Sequence, residues 1–179
     1  MELQFPELAD WKPISRIGGC LWLLAYFLFL VHAWRDSSGF LFPDLVNLMI
    51  HEAGHVFFRW GGNTVMLLGG TLGELIVPLA CAAGFFYQRQ VYGFSFCGFW
   101  FFENFLYIGT YMADARTSAL SLVNSDESDW TILFSQWNIL IYDQRIGHAA
   151  RVSGWLGMLS MIGWLVWKTY SSEQPEPQT

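Results

Sequence analysis

Apolar residues dominate this chain in stretches long enough to cross a lipid bilayer. The hydrocarbon core of a bilayer is about 30 Å thick, so a crossing helix needs roughly 17 to 25 predominantly apolar residues. Five stretches meet or approach that length and are separated by short polar segments: residues 17–34, 43–60, 64–87, 91–113 and 152–167. The pattern therefore predicts an all-α fold, a polytopic membrane helix bundle with about five transmembrane helices.

The region between the fourth and the last apolar stretch, residues 114–151, is more mixed. Its centre, residues 130–142, is shorter than the roughly 17 residues that a crossing requires, so we predict an interfacial or re-entrant helix there. Residues 124–129 are polar and predict a turn. We expect residues 1–170 to form a single membrane-embedded domain and residues 171–179, with two prolines, to form a disordered tail.

The basic residues indicate an orientation for such a bundle. Loops on the cytoplasmic side of membrane proteins are enriched in Lys and Arg. With five spans and a cytoplasmic N-terminus, most of the 9 basic residues fall on that side: Lys12, Arg16, Arg59, Arg116, Arg145 and Arg151. We therefore predict an N-in topology.

Composition supports an integral membrane protein and excludes several other classes. Hydrophobic residues make up 54% of the 179 residues and charged residues only 13%, about half of their share in soluble domains. The net charge of -6 leaves no basic surface for a nucleic acid, and the apolar stretches make membrane lipids the expected partners. The three cysteines lie within apolar stretches, and we interpret them as packing residues.

The second apolar stretch contains the sequence His51-Glu52-Ala53-Gly54-His55, an HExxH motif. Residues four apart lie on one face of a helix, so His51 and His55 can direct two imidazole nitrogens at one Zn²⁺ ion, with Glu52 beside the open position as general base. The composition of the chain predicts such a pattern by chance only roughly 0.004 times. Two imidazoles and one carboxylate favour zinc over iron or manganese, because they leave a tetrahedral position for water.

A packed polar cluster that holds helices together is the alternative interpretation of these residues. An ionisable side chain at the middle of a bilayer costs at least about 2.5 to 3.5 kcal/mol on insertion scales, so such groups are retained mostly for function. The depth of the motif in its apolar stretch therefore favours a metal site.

The third metal ligand is less clearly marked by the sequence. Glu103, Tyr107, Thr110 and Asp114 fall within one arc of the predicted fourth helix, and such a polar stripe needs protein rather than lipid against it. Glu103 matches the depth of the histidines best, whereas Asp114 lies at the end of its span. Further ligand candidates are Glu74 and His148, and the residues expected to orient an imidazole from behind are Asp44 and Asn47.

Four segments of the chain carry a family resemblance. They are His51-Glu52-Ala53-Gly54-His55, then Gly69-Gly70-Thr71-Leu72-Gly73, then Tyr111-Met112-Ala113-Asp114-Ala115-Arg116, and finally Asp129-Trp130. Together they resemble the site-2-protease-like intramembrane zinc metallopeptidases, and within that group the small bacterial members that keep little beyond the catalytic core. The resemblance covers residues 44–143, and its glycines have the small-xxx-small spacing that lets another helix approach closely.

The resemblance implies an aspartate of the later membrane helix as the third zinc ligand, which here is Asp114 rather than Glu103. It also implies Asn104 as a candidate to polarise the scissile carbonyl, and the bacterial inner membrane as the location. The chain departs from the family because it lacks the Asn-Pro-Asp-Gly type motif that usually presents the aspartate. We also expect no appended peptide-binding domain within 179 residues.

We therefore predict a zinc metallopeptidase that hydrolyses a peptide bond within or next to the membrane, with zinc on His51, His55 and Asp114 and with Glu52 as the catalytic base. One alternative is a zinc-dependent hydrolase of a lipid or another amphiphilic substrate. A second alternative is a non-catalytic binding or assembly protein in which zinc is a structural clamp.

Overall fold

The computed structural model describes residues 9–36, 38–120 and 127–171, and the regular structure within these ranges is helical. Two short 3-10 turns, Arg59–Gly61 and Leu140–Tyr142, lie between α-helices. The α-helices are α1 (Arg16–Arg35), α2 (Asp44–Phe58), α3 (Asn63–Tyr87), α4 (Val91–Ala113), α5 (Asp129–Gln136) and α6 (Asp143–Ser171). The prediction of an all-α fold is confirmed.

Within the described residues, three helical segments are long and apolar enough to cross a membrane: α1, α3 and the segment Leu140–Ser171 that includes α6. The helix α2 has 15 residues, which is short of the roughly 17 residues of a crossing. The helix α4 has 23 residues, but Glu103 and Asn104 lower the hydropathy of its middle. Length and composition thus support membrane association through three helices. The five predicted spans are not confirmed, and the N-in topology stays a prediction.

One face of α1 is apolar over most of its length. Ile17, Leu21, Leu24 and Leu28 each expose more than half of their surface. Soluble monomers rarely present such a continuous row of large apolar side chains, so this face suits lipid. The other side of the helix packs into the bundle, where the ring of Tyr26 stacks on that of Phe99 with centroids 4.3 Å apart.

The helices α2 and α3 pack backbone to backbone through glycines. A Cβ atom at Gly54 would collide with the carbonyl oxygen of Gly69, and one at Gly69 would lie 2.7 Å from the carbonyl oxygen of Gly54. A Cβ atom at Gly73 would lie 3.0 Å from the carbonyl oxygen of Ile50. The close approach predicted from the glycine spacing is confirmed, and it places α3 directly against the HExxH helix.

The chain after α4 differs in detail from the prediction. The helix α5 ends at Gln136, so the helix predicted over residues 130–142 is interrupted by a turn in which Asn138 has a φ of 57°. Of the predicted polar turn, residues 124–126 lie outside the described residues, and Asp129 already begins α5. The apolar side of α5 is buried with residues of α3 and α4 in one cluster: Leu67, Ile108, Tyr111, Ala115, Trp130, Leu133 and Phe134.

The helix α6 begins at Asp143, well before the predicted span over residues 152–167. The Asp143 carboxylate accepts hydrogen bonds from Arg116 Nε at 2.8 Å and from the backbone N–H of Gln144 at 2.6 Å. A Cβ atom at Gly147 would collide with the carbonyl oxygen of Gly109 on α4. These contacts stabilise the first turns of α6, which are polar and therefore do not belong to an apolar stretch of the sequence. Of the predicted tail, Ser171 ends α6 and residues 172–179 lie outside the described residues.

Candidate metal centre

The two histidines of the HExxH motif meet at one point beside α2. They lie one helical turn apart, with His51 buried, His55 half-buried and their ring centroids 4.7 Å apart. The Nε2 atom of His51 lies 3.1 Å from the Oδ2 atom of Asp129, and the Nε2 atom of His55 lies 3.3 Å from the same oxygen. Asp129 is the first residue of α5. Two helices therefore bring three metal-ligating side chains together.

A hydrogen bond to one nitrogen of the His55 ring determines that the other nitrogen faces Asp129. The Nδ1 atom of His55 lies 2.8 Å from the carbonyl oxygen of Met66 and must donate, because a carbonyl only accepts. The Nε2 atom of a neutral His55 then presents its lone pair to the carboxylate oxygen of Asp129. Two lone pairs at 3.3 Å repel each other, so this arrangement requires a proton or a cation between them.

Glu74 of α3 stands behind His51. Its Oε1 atom lies 3.3 Å from the Nδ1 atom of His51, although the two groups are not aligned as a hydrogen bond, and neither atom has another partner among the described residues. Histidines that bind metals usually direct their second ring nitrogen at a carboxylate or a carbonyl, which fixes the orientation of the ring. The other side of the ring is closed by Gly70, where a Cβ atom would collide with Nε2 of His51.

Tyr111 of α4 positions Asp129. Its hydroxyl donates to the Oδ2 atom of Asp129 at 3.3 Å and accepts a hydrogen bond from the backbone N–H of Asp129 at 3.2 Å. Burial raises the pKa of Asp129, but the contacts with His51 and His55 outweigh burial and hold the pKa below its ordinary value. Asp129 is therefore an anionic oxygen donor at neutral pH.

The two nitrogen-to-oxygen distances of this group fit a zinc ion. Ligands at about 2.0 to 2.1 Å from a tetrahedral zinc are separated by roughly 3.3 Å. The nitrogen-to-oxygen distances here, 3.1 and 3.3 Å, are close to that value. Two imidazoles and one carboxylate also form the ligand set of several catalytic zinc sites, which keep the fourth position open. The side chains of His55 and Asp129 remain 21% and 16% exposed, so the site is not sealed.

Asp114, the ligand implied by the family resemblance, lies outside this group. Its carboxylate accepts hydrogen bonds from the Thr117 hydroxyl at 2.5 Å and from the backbone N–H groups of Ala119 and Leu120 at 3.0 and 2.9 Å. Burial raises the pKa of Asp114, but these hydrogen bonds outweigh it and hold the pKa below its ordinary value. Asp114 thus closes the turn after α4, and Asp129 takes the position beside the histidines.

The other residues considered around the metal have different partners. Glu103 is buried, and its Oε2 atom accepts a hydrogen bond from Asn47 Nδ2 at 3.2 Å. Asn47 also donates to Asp44 Oδ1 at 3.1 Å and accepts from Trp100 Nε1 at 2.8 Å. Asp44 and Asn47, expected behind an imidazole, therefore belong to a second polar group around Glu103. His148 lies on the exposed surface of α6.

Glu52, the predicted base, follows His51 on α2 and is partly exposed. Its carboxylate has no hydrogen-bond partner within residues 9–36, 38–120 and 127–171, so a water molecule can reach it. Asn104 is buried and donates from Nδ2 to the carbonyl oxygen of Glu74 at 2.8 Å. That hydrogen bond joins α4 to α3, and the role of Asn104 toward a substrate stays a prediction.

The sequence does not predict the contribution of the Met66 carbonyl, and Tyr111 is named there only within a segment that carries the family resemblance. Asp129 is also named only within a segment that carries the family resemblance, and no metal role is predicted for it from the sequence. An acidic residue at the start of a short helix is an ordinary helix-start signal, and 78 residues separate Asp129 from His51. No local pattern marks it as a ligand.

Comparisons with protein-family models, with curated proteins and with solved structures found no match for this chain.

Proposed function

We propose that this protein is a membrane-embedded metallopeptidase of the site-2-protease-like kind, with one zinc ion held by His51, His55 and Asp129. The observation that carries the proposal is the convergence of two imidazole nitrogens and one carboxylate oxygen within 4.8 Å of one another, on an HExxH helix. Asp129 replaces Asp114 in this proposal, because hydrogen bonds of the turn after α4 already occupy Asp114.

The residues around the site have distinct parts in the proposed reaction. A zinc ion bound here would supply a Lewis acid that lowers the pKa of a coordinated water toward neutrality. Glu52 would accept a proton from that water and later pass one to the leaving amine. Glu74 and Tyr111 would hold His51 and Asp129 in position, so that the ligands keep their geometry while the peptide bond is cleaved.

The packing of the helices supports a site within or next to the membrane. The helix α2 packs on α3, and α4 packs on both α3 and α6, so two candidate crossing helices flank the elements that carry the site. We infer that α4 also crosses the bilayer and that α2 enters it without crossing.

The backbone N–H of Lys12 donates to the carbonyl oxygen of Arg89 at 3.0 Å, and Lys168 lies over the Trp11 ring, so the start of α1, the α3–α4 connection and the end of α6 lie on one side of the bundle. Four crossings satisfy these contacts, whereas five would place Lys12 on the opposite side from Arg89 and Lys168. We place this bundle in a bacterial inner membrane. The substrate is then a membrane protein or a peptide at the membrane surface.

Metal content of the detergent-purified chain tests the site. We expect about one zinc per chain in the wild type and in Glu52→Gln, and little zinc in His51→Ala and Asp129→Asn. Elemental analysis gives the ratio, and circular dichroism verifies that each variant is folded. Folded wild type that binds no zinc, even when zinc is supplied, would overturn the proposal and leave a packed polar cluster.

Turnover tests the reaction class. Membrane-protein fragments should accumulate in cells with the wild type and not in cells with Glu52→Gln, which keeps the ligands and loses the base. If lipid extracts change instead, the substrate is a lipid or another amphiphile. If Glu52→Gln preserves the cellular function and His51→Ala abolishes it, zinc is a structural clamp.

A further inference from the structure

An apolar cleft lies between α1, the start of α2 and α4. Its volume is about 450 Å³, within the range of small-molecule pockets. Most of its wall is aromatic, formed by Trp22, Tyr26, Phe29, Phe96, Phe99 and Trp100. The cleft is separate from the metal site, because the residues that line it include neither histidine nor Asp129.

Glu103 is the carboxylate in this lining, and it is not fully satisfied. Only 2% of the surface of Glu103 is exposed. Its Oε2 atom accepts a hydrogen bond from Asn47 Nδ2, whereas its Oε1 atom has no hydrogen-bond partner among the described residues. Asp44 nearby differs, because its two oxygens accept from the Leu41 backbone N–H at 2.6 Å and from Asn47 at 3.1 Å. A buried carboxylate oxygen without a partner is costly, so Glu103 favours a cation or a proton donor beside it.

The position of the cleft indicates where its ligand comes from. Residues 22–29, which form one wall, occupy the middle of α1, a candidate membrane-crossing helix. The lining residues Phe42 and Val46 are 67% and 55% exposed at its edge. A ligand that enters from this side arrives from the bilayer and must carry an apolar body.

We propose that this cleft binds a hydrophobic amine from the membrane, with an ammonium group beside Glu103 and an apolar body along the aromatic wall. The faces of Trp, Tyr and Phe rings attract a cation through their quadrupoles, which adds to the attraction of the carboxylate. The amine does not compete with Asn47, because Asn47 uses the other oxygen of Glu103. Binding at this cleft requires neither the zinc ion nor the proposed peptidase reaction.

Three probes of equal chain length test the proposal: dodecyltrimethylammonium, dodecanol and dodecyl sulfate. Their binding to the full chain in non-ionic detergent micelles is measured by equilibrium dialysis. We expect the ammonium probe to bind at least tenfold more tightly than dodecanol, and dodecyl sulfate to bind most weakly. Similar affinities for all three probes would overturn the proposal and indicate a pocket for acyl chains.

Two variants locate the binding. Glu103→Gln keeps an oxygen for Asn47 and removes the charge, so the ammonium probe should lose tenfold or more in affinity while dodecanol is unaffected. Ala25→Phe fills the cleft from an exposed position of α1, outside the buried polar group, and should weaken every probe. Zinc content should stay at the wild-type level in both variants. Undiminished ammonium binding in either folded variant would overturn the proposal, and Ala25→Phe decides alone if Glu103→Gln does not fold.

Discussion

Asp114 and Asp129 stand at the two ends of the connection between α4 and α5, and their carboxylates have opposite surroundings. Asp114 accepts hydrogen bonds from Thr117, Ala119 and Leu120, all within six residues of it. Asp129 meets side chains of distant segments, the two histidines of α2 and Tyr111 of α4. Local donors occupy both oxygens of Asp114, whereas one oxygen of Asp129 faces the two histidines.

The largest expected effect separates these two aspartates. Asp129→Asn replaces an anionic ligand with a neutral amide, so we expect it to lose most of the bound zinc. Asp114→Asn should retain about one zinc per chain. Elemental analysis of the two purified variants measures the difference, and zinc loss in Asp114→Asn alone would restore Asp114 as the ligand.

The second prediction concerns the support behind the histidines. Glu74→Gln should weaken zinc binding about 10- to 100-fold, as is typical when the outer partner of a metal-bound histidine is replaced. Glu103→Gln is the matched control, because Glu103 is equally buried but contacts Asn47 instead of His51. Competition with a chromophoric chelator measures both affinities. Equal affinities in the two variants would remove Glu74 from the site.

A pair of glycines in α3 tests the packing against the HExxH helix. At Gly70 an added Cβ atom would collide with the His51 ring, so Gly70→Ala should destabilise the fold by about 1 to 3 kcal/mol and reduce zinc binding. At Gly84 a Cβ atom meets nothing within 4 Å, and Gly84→Ala should stabilise the helix by about 0.5 to 1 kcal/mol. Denaturant unfolding in micelles measures both. A neutral Gly70→Ala would contradict the close contact.

The last prediction concerns the turn that Asp114 closes. Asp114→Asn should lower the free energy of unfolding by about 1 to 2 kcal/mol at neutral pH, because charged hydrogen bonds are lost. Folding lowers the pKa of Asp114, so its contribution is present above the ordinary value of 3.8 and is lost as the pH falls through the lowered pKa. The stability difference between wild type and variant should therefore shrink in acid. A difference that grows in acid would contradict the assignment.

Local patterns in the chain predict most of the helices and only part of the site. The apolar runs predict α1 and α4 within one residue at each end, because a long apolar helix is encoded by its own composition. The start of α6 was missed, because its polar first turns are held by Arg116 and by packing on Gly109, which lie far away in sequence. The same limit applies to Asn47, because its partners Glu103 and Trp100 lie 56 and 53 residues away in sequence.

The sequence by itself determined the all-helical character and the pairing of His51 with His55, since both follow from periodicity within one segment. The glycine spacing of α3 also predicted that another helix approaches it closely, and the tertiary structure shows that this helix is α2. Only the tertiary structure shows that Asp129, and not Asp114, lies beside the two histidines. Asp129 lies beside the histidines because α5 is buried against α3 and α4. Asp114 does not, because backbone N–H groups of the turn after α4 donate to its carboxylate.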